Sequence, residues 1–263
     1  MTEQLLNYQQ QGQGEHVVLI HGLFGSLENL NMVAKPLAQE YCVTSVDVAN
    51  HGNSFHRADM NYSRLALDII ELLDHLKIDV AYVLGHSMGG KIAMQVALEH
   101  PQRVKKLIVA DIAPVAYPPH HNEIIKGLQS IDFSRVEKRS DADQQLSAYV
   151  DDKGVRQFLL RNLALNENKQ WAFKCQVDFI AQCYPQIMQA NYLPSKENIN
   201  EPPFLGETLF IKGGNSNYIL AEHKAAIATL LPNSKAKIIQ GAGHWLHAEK
   251  TIAFNKIVTD FLA

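Results

Sequence analysis

The stretch Val83 to Ala93, VLGHSMGGKIA, decides the fold. Its first half ends an apolar run, Val80 to His86 (VAYVLGH). Its second half opens an amphipathic segment, Met88 to His100, that stops before Pro101. A strand therefore turns directly into a helix, with Ser87 at the corner. The turn is so sharp that side chains two residues either side of the serine would collide, which accounts for Gly85 and Gly89. It exposes the Ser87 hydroxyl at the strand's C-terminal end. It also aims the unpaired N–H groups of the next helix at the same point. A serine can simply cap a helix. The glycines, the strand before and the helix after favour a nucleophile.

Working outward, the same rhythm recurs. His16 to Gly22 (HVVLIHG), Tyr41 to Val48, Val104 to Pro114, Thr208 to Gly214 and Ala236 to His244 are apolar, β-branched runs of strand length. Strands buried on both faces, as in parallel sheets, read this way. Between them, Tyr62 to Leu76 repeats Leu65, Ile69, Leu72, Leu73 and Leu76 at helical spacing. Ala221 to Leu231 and Glu249 to Leu262 are further helical segments. Alternation of strand and helix predicts an α/β fold, a mostly parallel sheet flanked by helices.

One region breaks the rhythm. From Pro114 to Pro203 no buried strand is evident, and the segment opens and closes on proline-rich stretches, APVAYPPHH and PSKENINEPP. Its interior carries helical patterns, GVRQFLLRNLAL and WAFKCQVDFIAQCYPQIM. The expected organisation is a core of residues 1–113 and 204–263, with 114–203 inserted as a helical cap. Phe158, Leu159, Leu160, Trp171, Phe173, Phe179, Tyr184, Ile187, Met188 and Tyr192 are mostly the cap's own core, with a few available to line an apolar pocket.

Bulk properties bound the function. The 263 residues carry a net charge of −3, and mean hydropathy is −0.14. No basic field suggests nucleic acid. No apolar run reaches the roughly 18 residues of a membrane span, and the N-terminus lacks the basic and apolar regions of a signal peptide. Cys42, Cys175 and Cys183 are too few and too scattered for a disulfide framework or a cysteine metal site. The expectation is a cytoplasmic protein with a small-molecule substrate, no stable membrane insertion and no metal.

Two further stretches complete a catalytic pattern. QGAGHWLHAEK follows the last expected strand and offers His244, a base whose neutral imidazole can take and return a proton near pH 7. His247 is the alternative, more suited to starting the helix. LIHGLFGS follows the first strong strand. Its loop amides, with the amide after the nucleophile, suit an oxyanion hole, each donor worth about 3 kcal/mol of barrier. Met88 and Leu23 are the expected donors, with Phe24 the alternative to Leu23. His21 is expected to tie the loop down, His86 to bond locally, and Lys91 to be solvated or paired.

Together these features resemble the α/β-hydrolase superfamily over essentially the whole chain. More closely, HGLFGSLENL, NHGNS, GHSMGGK, DIAP, GGNSNY and GAGHWLHAEK resemble the YbfF-type bacterial esterases and the related ABHD-type hydrolases. The resemblance implies cleavage of esters or thioesters, with acyl-CoA compounds a substrate class, and no cofactor. It is weakest across the cap.

In such hydrolases the loop after a late strand usually carries the acid of a triad, yet FIKGGNSNYI (Phe210 to Ile219) holds no carboxylate. No aspartate lies between Asp178 and Asp260. Glu207 sits at the wrong end of its strand, and Glu222 starts a helix. Asp111 closes KLIVA, at the C-terminal edge of the strand after the nucleophile helix, and keeps the order serine, aspartate, histidine. The resembled family also carries its acid at the DIAP aspartate. Asp47 is the rival, expected to be structural. Asn215, Ser216 and Asn217 are expected to stabilise the turn or support His244. The reading is a serine esterase or thioesterase. The alternatives are a carbon–carbon hydrolase or lyase on the same fold, or a non-catalytic binding protein. Lys126, Arg135, Lys138, Arg139, Lys153, Arg156 and Arg161 could meet an anionic leaving group, although helical charges are usually a solvated face.

Overall fold

The computed structural model describes residues 4–191 and 203–263. In chain order the strands are β1 (Tyr8–Gln11), β2 (Glu15–Ile20), β3 (Tyr41–Val46), β4 (Ala81–His86), β5 (Val104–Ala110), β6 (Leu163–Leu165), β7 (Trp171–Phe173), β8 (Thr208–Gly213) and β9 (Ser234–Ile239). The helices are α1 (Asn31–Leu37), α2 (Tyr62–His75), α3 (Met88–Glu99), α4 (Asn122–Gln129), α5 (Arg139–Leu146), α6 (Lys153–Leu159), α7 (Val177–Ile187), α8 (Lys224–Leu230), α9 (Leu246–Glu249) and α10 (Thr251–Leu262).

The main sheet has seven strands among the described residues, in the order β1-β3-β2-β4-β5-β8-β9. All its pairs are parallel except β1 with β3. Alternating residues feed two cores. Val18 and Ile20 of β2 face the core that holds α2 and α3. Val17 and Leu19 face the core that holds α1 and α10. The strand order reverses between β2 and β4, and at such a switch point the loops beyond the strand ends open a crevice. The loop after β2 and the turn after β4 both sit there.

The expected core strands are all present, with ends that differ by a few residues. Three features depart from expectation. β1 is an exposed Tyr-Gln-Gln-Gln edge strand, defined by its register with β3 (Tyr8 opposite Val46) rather than by any apolar pattern. The C-terminal helical segment is two helices, broken at Lys250, where φ is −135°. Between β5 and β8, α4 to α7 are joined by an antiparallel hairpin, β6 with β7. The two helical patterns expected there therefore each lose one end to a strand. α6 stops at Leu159, and α7 starts only at Val177. Tyr192, expected in the cap, lies outside the described residues. Among the described residues no helix is long and apolar enough to cross a membrane.

Candidate active site

The corner at Ser87 is as tight as its sequence demands. Ser87 has φ 55° and ψ −121°, a region that costs a non-glycine residue strain and persists only where neighbours enforce it. Its amide donates to the Ala110 carbonyl at 3.0 Å, fastening the turn to β5. A Cβ on Gly85 would overlap the Gly89 carbonyl, and one on Gly89 would overlap the carbonyls of Ile20 and His21. α3 is buried along Met88 to Leu98, so Ser87 stands on a rigid base.

The structure brings Ser87, Asp111 and His244 together from three strand ends. The Ser87 hydroxyl lies 2.9 Å from His244 Nε2. His244 Nδ1 lies 2.8 Å from Asp111 Oδ2. A carboxylate only accepts, so the ring proton belongs on Nδ1 and Nε2 is free to accept from serine. Asp111 is fully buried and has φ 53°, a kink that turns its side chain along the sheet edge toward β8 and β9. Its Oδ1 accepts the Gly213 N–H at 2.9 Å. Its Oδ2 also accepts the Ser216 hydroxyl. The loop after β8 thus supplies no carboxylate but holds the one on β5. Of the two expected roles for this loop, stabilising the turn is seen in the Ser216 amide, which donates to the Gly213 carbonyl at 3.0 Å; the Ser216 hydroxyl bonds Asp111 rather than His244, and the Asn215 amide donates to the Ala242 carbonyl at 2.9 Å.

The remaining candidates separate cleanly. Asp47 accepts from Leu27 N, Asn53 N and Asn7 Nδ2 at 2.7–2.9 Å, a loop-pinning role. His21 ties its own loop to Val48, accepting that amide at 3.0 Å. Phe24 N donates to His51 Nε2 at 3.1 Å. Among the described residues the amides of Leu23 and Met88 have no protein acceptor. His247 is buried in α9 with its ring 4.4 Å from His86. His86 donates from Nε2 to the His244 carbonyl at 2.8 Å, bracing the base loop. Burial holds both neutral, His86 well below its ordinary value and His247 down to about 4.

Lys91 differs from expectation. It is buried, and its ammonium donates to the carbonyls of Val115, at 2.6 Å, and Gln189. It also lies over the rings of Tyr62 and Tyr117, at 5.4 and 5.0 Å from their centroids. Burial lowers its pKa to about 7. The cause is α3 itself, which packs on nearly every side and leaves Lys91 bordering open space at the cleft before Ser87.

The cleft before Ser87 has two lobes. One, of about 590 Å³ including its open mouth, is lined by Leu23, Phe24, Ile124, Val155, Phe158 and Trp245. The other, of about 320 Å³ including its open mouth, is lined by Met88, Lys91, Ile112, Tyr117, Ile187 and Tyr218, with Met188 beside them. Of the expected cap side chains, Phe158, Leu159, Ile187 and Met188 reach these walls. Among the cap cations, Lys126 pairs with Glu123 and Arg156 with Asp143. Arg139 donates to the carbonyls of Leu160 and Leu163. Arg161 lines an outer groove that shares Phe158 and Trp245 with the larger lobe.

Sequence reasoning missed Ser216 as a partner of the acid, His86 as a brace and Tyr218, whose ring stacks on His244 at 3.8 Å. The NSNY stretch was in view, but nothing in its spacing says which side chains turn inward.

Comparison with known proteins agrees with the architecture. The family profile described as alpha/beta hydrolase fold matches residues 15–251. The chain is 37% identical to the sn-1-specific diacylglycerol lipase ABHD11 of Mus musculus, over 94% of this chain and 80% of that protein. It is 35% identical to esterase YbfF of Escherichia coli K12, over 97% and 95% respectively. A solved structure described as a marine microorganism esterase superposes with a TM-score of 0.93 at 36% identity, covering 98% of this chain and all of that one.

Proposed function

The chain belongs to the alpha/beta hydrolase fold family, and from that membership we propose that it is a serine esterase acting through Ser87, Asp111 and His244. The observation that carries the reading is the hydrogen-bonded row from Ser87 Oγ through the His244 ring to Asp111, at 2.9 and 2.8 Å. A serine hydroxyl is a weak nucleophile unless a positioned base takes its proton.

In the proposed reaction His244 Nε2 takes the hydroxyl proton as Ser87 Oγ attacks the substrate carbonyl. The oxyanion of the tetrahedral intermediate accepts from the Leu23 and Met88 amides. Asp111 stabilises the imidazolium and stays ionised. His244 then gives its proton to the leaving group as the carbon–heteroatom bond breaks, which leaves an acyl-serine. Water, deprotonated by His244, attacks the acyl carbon, and Ser87 departs with the proton returned. A thioester follows the same steps with sulfur leaving, and acyl thioesters are within the proposed class. In this proposal the insertion read from the sequence at 114–203 serves as the cap, and of its described residues Phe158, Ile187 and Met188 wall the cleft.

The named relatives, an esterase and a diacylglycerol lipase, support acyl-ester chemistry. Asp111 within hydrogen-bond distance of His244 supports the catalytic reading over a non-catalytic binding protein. The reaction is set in the cytoplasm, on small acyl substrates, in keeping with three buried free cysteines. The test is hydrolysis of p-nitrophenyl esters and acyl-CoA thioesters of graded length. Turnover that vanishes in Ser87→Ala is expected. Turnover that survives it would refute the assignment.

A further inference from the structure

Tyr218 lies in the loop after β8, the loop that carries no acid. Its ring is stacked on His244 with centroids 3.8 Å apart and planes 19° from parallel. Both edges of the imidazole are committed, Nδ1 to Asp111 and Nε2 to Ser87, so the ring's face is what remains for a neighbour to hold.

Tyr218 is itself fixed at three points. Its amide donates to Ser216 Oγ at 3.2 Å, the same hydroxyl that donates to Asp111. Its carbonyl accepts from the Tyr117 hydroxyl. Its own hydroxyl donates to His120 Nε2 at 2.6 Å, a ring whose Nδ1 donates in turn to the Pro118 carbonyl at 2.8 Å. Packing alone does not require three anchors from three directions. Held this way, the π face stays parallel to the imidazole. An aromatic face attracts a cation placed over it, and His244 becomes a cation in each half of the proposed reaction.

We propose that Tyr218 is a positioning residue for the base, holding the His244 ring face-on and favouring its protonated form. The proposal rests on the serine-esterase reading for its catalytic consequence, but not for its electrostatic one. It also explains why this loop can do without a carboxylate: Gly213 and Ser216 hold the acid while Tyr218 holds the base.

The surroundings make the effect readable. The groups facing His244 are Asp111 just after β5, His86 from β4, His247 from α9 and His121 from the loop before α4, with His120 reached through the Tyr218 hydroxyl. Glu249 acts through its bond from the Gly243 amide. Burial keeps His86, His121 and His247 neutral, and it holds the Tyr218 hydroxyl protonated, its pKa pushed up to about 12.

The experiment is an NMR titration of the His244 imidazole in the full-length protein, assigned with His244→Gln, beside the pH dependence of kcat/KM. Tyr218→Leu removes the π face. The His244 midpoint is expected to fall by about half a pH unit, a threefold change in the proton equilibrium. The acid limb of kcat/KM should move down with it while kcat drops about tenfold. Tyr218→Phe keeps the face and is expected to keep the midpoint, with kcat about threefold lower for want of the His120 anchor. If Tyr218→Leu does not fold, Tyr218→Met replaces it. An unchanged midpoint without the aromatic face would overturn the proposal, as would an equal shift in the Phe variant. The titration needs no substrate, so absent turnover in the parent protein would count against the esterase reading alone.

Discussion

Asp111 serves three donors with two oxygens: the Gly213 amide on one, the Ser216 hydroxyl and the His244 ring on the other. A buried carboxylate is expensive unless its lone pairs are filled, and here all the donors are neutral or become positive only during the reaction. Asp111→Asn should leave the fold intact and lower kcat about 10³- to 10⁴-fold, because an amide can present its N–H to Nδ1 and stabilise the wrong tautomer. Circular dichroism and steady-state kinetics on the same preparation check this. Ser216→Ala removes one donor from a buried charge, worth about 1–3 kcal/mol. It should lower kcat by roughly tenfold and melt a few degrees lower. The placement of Asp111 was legible in the sequence, because KLIVA sets it at the end of the strand that follows the nucleophile helix. Its partner Ser216 was not, since it lies 105 residues away and only the adjacency of β5 and β8 brings the two together.

At the scale of the element, the elbow between β4 and α3 was the most legible feature, because steric collision leaves so few residues able to occupy it. Gly85→Ala is expected to yield little folded protein, since the clash is with backbone at Gly89 rather than with a movable side chain. Soluble expression and thermal melting decide it. α3 also holds the least legible residue. Lys91 in a helical first turn reads as a surface cation, but burial of the whole helix was not visible from its own pattern. It joins the carbonyl after β5 to the carbonyl after α7. Lys91→Ala should cost about 1–3 kcal/mol by removing a donor that both carbonyls share. Denaturant unfolding measures it, and a loss under 0.5 kcal/mol would show that the tie is slack. The β6–β7 hairpin escaped for a different reason. Strands of three residues carry too few alternations to outweigh the helical patterns they interrupt.

At the scale of the molecule, a mostly parallel sheet flanked by helices followed from apolar runs, whereas the polar edge strand β1 gave no such signal. Burial also sets a pH dependence. His51 and His121 are pushed down to about 3 and His247 to about 4, with His21 and His86 lowered as well, chiefly by desolvation. Below pH 6.5 the unfolded chain binds protons that these buried rings refuse, so stability falls as pH falls. The summed loss should reach several kcal/mol by pH 5, seen as a Tm that drops steadily from pH 7 to 5. A flat Tm over that range would mean the rings are wetter than the fold indicates. The central claim, a serine activated by a histidine whose acid stands at the end of β5, is tested most directly by the rate of fluorophosphonate labelling followed by intact mass. The parent protein should gain one label, Ser87→Ala none, and Asp111→Asn should label at least 100-fold more slowly. Labelling of Asp111→Asn at the parent rate, or of Ser87→Ala at all, would contradict it.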